Sequence, residues 1–242
     1  MGLEEFYESA ASHYDRDWSG TWEGEPVAFY ARLAAAAGGP VLEMGCGTGL
    51  VLLPIARAGI TIHGMDFSPA MLRECEAKLA TEPPEVRERA TLHCGDARSD
   101  HAGEFALVIA PGRVLSTFCD RADQRAFLRN VRRHLAPGGS FCFDVFEPDY
   151  DLLAANRGEK WVPLAEGSEM RVVHQPPFQR QLVEIRWASG ESASTLHRWF
   201  THAELQNLLE LENYRIVEEW GGFDGRPYGE GALQQIFQTV AA

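Results

Sequence analysis

The sequence is short of several features that define other classes of protein. Its 242 residues include only 5 cysteines, none of them in a C-x-x-C pair. Scattered thiols in a chain of this length are typical of a reducing compartment, where cysteine serves as a small buried hydrophobic residue. No segment approaches the ~18 apolar residues of a membrane-spanning helix, and the acidic first residues lack the pattern of a signal peptide. These shortages predict a cytoplasmic protein without a disulfide framework.

Positive charge is also scarce. Lysine and arginine number 22 against 35 acidic residues, which gives a formal net charge of −13. Proteins that neutralise many phosphates carry the opposite balance, and an anionic membrane surface selects against acidic chains in the same way. We therefore expect no nucleic-acid partner and no membrane partner. The length suits one structural domain, as a monomer or a homodimer.

From residue 40 to residue 147, short apolar segments alternate with amphipathic ones. Strands are predicted at 40–44, 61–65, 90–94, 105–110 and 141–146. Helices are predicted at 26–37, 50–58, 68–79 and 121–135, with a loop at 81–88 and with Pro137-Gly138-Gly139 ending the last helix. This alternation is typical of right-handed βαβ units and a doubly wound parallel sheet.

The pattern changes after residue 148. Four short strands are predicted at 161–164, 170–174, 182–187 and 194–200, and no helix separates them, so they should pair antiparallel. A capping box, Thr201-x-x-Glu204, then opens a helix, and strands follow at 215–220 and 234–240. We predict a core formed by 40–149 and 201–242, a β-rich cap at 150–200 and an N-terminal helical segment, 1–39, that closes over the site.

The most informative stretch runs from Glu43 to Gly49, at a predicted strand-to-helix turn. Its glycines, at 45, 47 and 49, let the backbone approach a ligand closely. Asp66 ends the next predicted strand, where a carboxylate can accept both hydroxyls of a ribose. A dinucleotide fingerprint needs a third glycine at the position of Leu50, and a Walker A loop needs Gly-Lys-Ser/Thr. The loop therefore favours an uncharged or zwitterionic group of a nucleoside-bearing ligand.

The motif Glu43-x-Gly45-x-Gly47-x-Gly49 resembles the first motif of the class I S-adenosylmethionine (SAM)-dependent methyltransferases. Three companions follow in the family's order: Asp66, then Gly95-Asp96-Ala97, then Leu135-x-Pro137-Gly138-Gly139. The resemblance covers roughly residues 40–147, and the stretch 220–228 is similar to a segment of small bacterial enzymes that methylate small molecules. It implies a Rossmann-like, seven-stranded, mostly parallel sheet with its last strand antiparallel and helices on both faces. The small antiparallel β cap would be inserted after the fifth strand.

The resemblance also implies the cofactor, SAM, with S-adenosylhomocysteine (SAH) as product. Asp66 would hold the ribose hydroxyls, Asp96 would accept from the adenine amino group, and Tyr14 would close over the methionine end. Glu43 would anchor the glycine loop, and Ala110 would line the sulfonium region. The implied cofactor positions are Tyr14, Glu43, Gly45, Cys46, Gly47, Gly49, Asp66, Phe67, Met71, Asp96, Ala97 and Ala110.

The expected reaction is an in-line displacement that transfers a methyl group to a nitrogen or oxygen of a small organic molecule. Positioning alone can supply ~7–11 kcal/mol of such a barrier, and a base is needed only if the nucleophile stays protonated. His197 is a candidate base. Candidate walls of the acceptor pocket are Trp18, Arg113, Trp199, Phe223 and Tyr228. No acid follows the fourth strand, so no metal site is expected there.

Two alternatives stay open on the sequence. A SAM-binding protein without methyl transfer would have the same cofactor loop. A nicotinamide-dependent oxidoreductase is disfavoured by Leu50 at the third glycine position.

Overall fold

The computed structural model describes residues 2–22, 24–155 and 160–242. The helices are α1 (Leu3–Trp22), α2 (Glu25–Ala37), α3 (Leu52–Arg57), α4 (Pro69–Ala80), α5 (Pro84–Arg87), α6 (Arg121–Arg133), α7 (Tyr150–Ala155) and α8 (His202–Leu211). The strands are β1 (Val41–Met44), β2 (Ile62–Asp66), β3 (Ala90–Cys94), β4 (Phe105–Ala110), β5 (Leu135–Phe146), β6 (Val162–Pro163), β7 (Glu169–Gln175), β8 (Arg180–Arg186), β9 (Ser192–Arg198), β10 (Tyr214–Trp220) and β11 (Gln234–Ala241).

A seven-stranded sheet forms the core, in the order β10-β11-β5-β4-β1-β2-β3. Strands β1 to β5 pair in parallel, and β11 runs antiparallel to both of its neighbours. This confirms the predicted Rossmann-like sheet with its last strand antiparallel. The carboxyl ends of β1 to β4 therefore meet at one edge, where such folds bind ligands.

Apolar clusters cover both faces of the sheet. On one face, Phe141 and Phe143 stack at 5.1 Å, and Phe143 stacks on Phe237 at 5.5 Å. On the other face, Tyr30 of α2 and Leu52 of α3 pack with the core strands. Because both faces are covered, β1 and β4 are apolar almost throughout rather than alternating.

The helix starts follow the predicted capping. Ser68 accepts a hydrogen bond from Met71 N at 3.3 Å, with Pro69 as the first helical residue of α4. Thr201 accepts from Glu204 N at 3.3 Å and opens α8. Gly38 ends α2 in the left-handed conformation, with φ 68°.

A second, antiparallel sheet of four strands, in the order β6-β7-β8-β9, forms the predicted cap. Val183 and Ala193 on its inner face pack against Phe6 and Ala10 of α1. Helix α1 also packs on Met71 of α4, so it lies between the cap and the core.

Three carboxylates of α1 fix the helix to the core on one side and to the cap on the other. Glu8 accepts from Ser68 Oγ and from Ala70 N, each at 3.0 Å. Asp15 pairs with Thr48 Oγ1 and with Lys78 Nζ. Asp17 accepts from Trp187 Nε1 of the cap at 2.9 Å. One helix thus connects the glycine loop, α4 and the cap.

Two predicted boundaries were wrong. The segment 81–88 contains a one-turn helix, α5, which begins at Pro84 because proline suits the first helical position. Helix α6 ends at Arg133, before the predicted end at residue 135. Pro137-Gly138-Gly139 lies inside β5, because Leu135 already pairs with Phe105 and a bulge in β5, between the Phe105–Leu135 and Leu107–Ser140 pairs, accommodates the glycines.

None of the helices within residues 2–22, 24–155 and 160–242 combines the length and the apolar character needed to cross a bilayer.

Candidate active site

A cavity of about 700 Å³ opens at the carboxyl ends of β1 to β4. This volume falls in the usual range of small-ligand sites, roughly 300–1,000 Å³. Helix α1 contributes Leu3, Glu4, Tyr7 and Tyr14 to its wall. The loops after the four strands contribute the rest, including Glu43, Gly45, Cys46, Gly47, Asp66, Phe67, Met71, Asp96, Ala97, Pro111, Gly112 and Val114.

The glycine loop after β1 is fixed against β2. Gly45 N and Cys46 N both donate to the carbonyl of Met65, at 2.7 and 3.1 Å. A Cβ at Gly45 would lie 2.6 Å from Val114 Cγ2, so only glycine fits there. A Cβ at Gly47 would meet nothing within 4 Å, although the φ of +52° still disfavours a side chain. The backbone of Gly47 thus faces open space in the cavity that a ligand can fill.

Asp66 is the central carboxylate of this cavity. Its Oδ2 accepts from Gly47 N at 2.8 Å, and its Oδ1 accepts from Ser68 N at 2.9 Å. Each oxygen keeps acceptor capacity for a further donor. Burial raises the pKa of Asp66 to about 6, although its backbone donors act to lower it. The group can therefore be ionised at neutral pH and can accept two neighbouring hydroxyls.

Glu43 lies beside Asp66 and is 3% exposed. Burial, and then the charge of Asp66, raise the pKa of Glu43 well above its usual range. Its Oε2 is buried with no partner among the described residues. Asp66 has backbone donors that favour its charged form, so Asp66 ionises first and Glu43 holds its proton to higher pH.

The side chains of Phe67, Met71 and Ala97 lie along one wall of the cavity. Asp96 lies at the same wall, but its carboxylate is engaged by Arg98, with 2.7 Å between Arg98 Nη2 and Asp96 Oδ2. Arg98 lowers the pKa of Asp96, and Arg98 Nη1 lies 3.0 Å from Asp123. The predicted acceptor for the adenine amino group is thus already an ion-pair member.

Two tyrosines of α1 line the cavity. Burial, followed by the charge of Asp66, raises the pKa of Tyr14 to about 12, so its phenol stays protonated. Tyr7 packs edge-on against Phe67 with 5.7 Å between ring centroids. Tyr7 was absent from the predicted site. The helical spacing of Leu3, Tyr7 and Tyr14 places all three side chains on one face of α1, and this pattern could have indicated Tyr7 as a cavity residue.

Two predicted cofactor positions do not line the cavity. Ala110 is fully buried inside β4, opposite Phe143 of β5. Pro111 and Gly112, the next residues, reach the cavity instead. Gly49 lies beneath the loop, where a Cβ would be 2.6 Å from Cys75 Sγ. Gly49 therefore shapes the loop by packing.

The predicted acceptor-pocket residues lie outside this cavity. The Tyr228 hydroxyl donates to Glu147 Oε2 at 3.0 Å, and its ring stacks on His202. Trp199 is buried at the end of the cap. Phe223 packs on Phe29, with 5.8 Å between the ring centroids. Trp18 packs in the cluster between α1 and the cap.

Arg113 follows Gly112 in a strained turn. Its φ of 64° is left-handed, which costs a non-glycine residue about 1 kcal/mol. Asp144 fixes the turn by accepting from Gly112 N at 3.0 Å, and Tyr30 holds Asp144 through a 2.6 Å hydrogen bond. Burial, and then the charge of Arg113, lower the pKa of His197 to about 4. His197 is thus neutral and close to Arg113.

Within the described part of the chain, no group of three or more His, Cys, Asp or Glu side chains could hold a metal ion.

Comparison with known proteins identifies the family. A family model described as "Methyltransferase domain" matches residues 41–139. A dTDP-4-amino-2,3,4,6-tetradeoxy-D-glucose N,N-dimethyltransferase of Saccharopolyspora spinosa is 30% identical, over 96% of this chain and 91% of that protein. The chain belongs to the class I SAM-dependent methyltransferases.

Solved methyltransferases share the fold along nearly the whole chain. The CcbJ methyltransferase from Streptomyces caelestis superposes with a TM-score of 0.78 at 24% identity, covering 94% of this chain and 96% of that one. The glycopeptide N-methyltransferase MtfA in complex with SAM superposes with a TM-score of 0.64 at 21% identity, covering 88% and 86%.

The cavity of this methyltransferase fits SAM. The open face of Gly47 and the two free acceptor sites of Asp66 suit a ribose, and Phe67 and Met71 offer an apolar wall for a base. When bound, SAM supplies an electrophilic methyl group on its sulfonium. Family membership also displaces the nicotinamide-dependent oxidoreductase as an alternative.

Proposed function

We propose that this methyltransferase transfers the methyl group of SAM to an amine nitrogen of a small organic molecule. Neither Tyr14, which lines the cavity, nor the predicted base His197 is a ready general base, and this supports the choice. Tyr14, with a pKa of about 12, keeps its proton, and His197, with a pKa of about 4, takes up a proton poorly. A hydroxyl acceptor needs a base, whereas the lone pair of a neutral amine attacks without one.

The relatives include O-methyltransferases that match shorter parts of the chain, but the relative that matches nearly all of it supports a nitrogen acceptor. The Saccharopolyspora spinosa relative is named for dimethylation of an amino sugar nitrogen. MtfA, which shares the fold, is named as an N-methyltransferase.

In the proposed complex, the Asp66 carboxylate accepts the ribose hydroxyls and the backbone of Gly45 to Gly47 lies along the cofactor. The predicted adenine contacts of Phe67, Met71 and Ala97 remain our proposal, with the Asp96–Arg98 pair at the edge of the base. Tyr7 and Tyr14 cover the methionine end from α1.

We further propose the division predicted from the sequence: a SAM-binding core (40–149 and 201–242), a cap (150–200) and a closing segment (1–39). The packing of α1 between the cap and α4 supports it. A cytoplasmic location is supported by the free state of all five cysteines. The net charge of −13 supports a small molecule rather than nucleic acid as the partner. Monomer and homodimer both stay open.

Two measurements on the purified protein test this function. Calorimetry with SAH should show binding that Asp66→Asn weakens and Asp224→Asn, a remote surface change of the same chemistry, leaves intact. SAH release should then be followed with SAM and either benzylamine or benzyl alcohol as probe acceptor. Turnover restricted to the alcohol would overturn the amine assignment, and SAH binding without turnover on any amine would favour a binding protein.

A further inference from the structure

Arg113 differs from the other half-buried arginines of the described chain. Five of the others form an ion pair with a carboxylate, namely Arg16, Arg125, Arg171, Arg180 and Arg198, and Arg89 donates to the backbone carbonyl of Glu85. Arg113 forms none within residues 2–22, 24–155 and 160–242, and its Nε is buried without a partner. Its recorded side-chain contact is with the Phe146 ring, 5.4 Å from Cζ. This is unexpected in a chain with 35 acidic residues.

The backbone at Arg113 is arranged to present this side chain. The left-handed turn of Gly112 and Arg113, with φ of 78° and 64°, would be relieved by glycine or asparagine. Asp144, buried and bonded to Tyr30, holds the turn in place. Strain that is fixed by a buried carboxylate and relieved by a simpler residue indicates a function for the guanidinium.

A second unsatisfied donor lies beside it. His197 is on β9, on the same strand face as Ala193, which packs on α1. It pairs in register with Gln181, which pairs with His174, so three polar side chains share one row of the inner face. His197 Nε2 is buried with no partner among the described residues.

Tyr14 and Asp144 are the titratable groups near Arg113 and His197 that bear on their charge. Burial raises the pKa of Tyr14 and of Asp144 and lowers the pKa of His197, and the charge of Arg113 acts to lower all three, which places the guanidinium close to each of them. Tyr14 is a cavity residue, so Arg113 and His197 adjoin the cofactor cavity. No ion pair joins Asp144 to Arg113 within the described residues: Oδ1 of Asp144 accepts from Tyr30 and Gly112, and its Oδ2 is buried without a partner.

We propose that Arg113 and His197 form an acceptor subsite that binds an anionic group, a carboxylate or a phosphate, carried by the amine substrate. The guanidinium pairs with the planar or tetrahedral oxygens of such a group through parallel N–H donors. In the tautomer that carries its proton on Nε2, neutral His197 supplies a further donor. This assignment rests on the proposed amine methylation and adds the chemical class of its substrate.

The first test is anion binding to the SAH-loaded protein. Calorimetry with benzoate, phenyl phosphate and benzyl alcohol as probes should show that both anions bind and the alcohol does not. The anion that binds more tightly identifies the anionic group of the substrate as a carboxylate or a phosphate. Arg113→Asn should weaken anion binding at least tenfold while the melting temperature stays equal or rises, because asparagine tolerates a left-handed φ. Arg171→Gln is the matched control, since Arg171 pairs with Glu184 on the outer face of the cap.

The second test is acceptor preference. With SAM, kcat/KM for 4-(aminomethyl)benzoate should exceed that for benzylamine at least tenfold, and the ratio should fall towards one in Arg113→Asn. His197→Phe should raise KM for the carboxylate substrate and leave kcat within about threefold. Normal SAH binding with no anion binding, or with equal anion binding in Arg113→Asn, would overturn the subsite. Failure to bind SAH would instead contradict the proposed function.

Discussion

Cofactor affinity should depend on pH through Asp66. Burial raises the pKa of this carboxyl from 3.8 to about 6, and only the ionised form keeps both oxygens as acceptors for ribose hydroxyls. At pH 5, about one-tenth of a group with this pKa is ionised. We therefore expect the Kd for SAH to be about tenfold larger at pH 5 than at pH 7.5.

The raised pKa of Asp66 also affects the stability of the cofactor-free protein. Because the folded pKa lies above the unfolded value, folding favours the protonated carboxyl. The free energy of folding that the protonated Asp66 carboxyl contributes is fully present below about pH 4 and is lost as the pH rises through about 6. It amounts to roughly 3 kcal/mol. SAH binding to the ionised form should therefore raise the melting temperature more at pH 7.5 than at pH 5.

The assay is calorimetric titration of SAH between about pH 5 and pH 7.5. Asp66→Asn should bind weakly and without pH dependence, because an amide does not titrate in this range. Asp224→Asn, exposed and distant, should follow the wild type. A wild-type Kd that stays constant over this range would refute the reasoning that burial sets the pKa of Asp66.

Three further outcomes are expected. Gly47→Ala should weaken SAH binding at least about tenfold, because the new methyl group fills the open face of the glycine loop. Gly38→Ala introduces the same left-handed strain away from the loop, so it should cost only about 1 kcal/mol of stability and leave SAH binding unchanged; equal SAH binding by the two variants would contradict a cofactor site at Gly47. Tyr30→Phe should lower the free energy of unfolding in urea by about 1–3 kcal/mol, because Asp144 loses a buried donor. Phe237→Ala should lower the free energy of unfolding by about 3–5 kcal/mol, since the ring is 1% exposed. A loss below about 1 kcal/mol would mean that neighbouring core side chains fill the space left by the ring.

The sequence predicted the parts of the site that are encoded locally. The glycine loop, Asp66 and the strand-helix alternation are each readable within about 30 residues, the size of one βαβ unit. Tyr7 was missed because its partner in space, Phe67, lies across the fold, and helix α1 alone does not show what covers it.

Other errors have a different cause. Ala110 was placed at the cavity because β4 is buried on both faces, so its residues show no alternation that distinguishes one face from the other. Pro137-Gly138-Gly139 reads as a helix stop, but the pairing of Leu135 with Phe105 had already begun the next strand. Pairing across the sheet decided this boundary against the local signal.

Helix α1 links the cofactor cavity to the cap through direct contacts with both. Its carboxylates bond to the glycine loop, to α4 and to Trp187 of the cap, while Tyr7 and Tyr14 face the cavity. A displacement of α1 that admits or releases a cofactor must therefore break contacts with the cap as well. If SAH leaves by such a displacement, its lifetime on the enzyme also measures how often the contacts between α1 and the cap break.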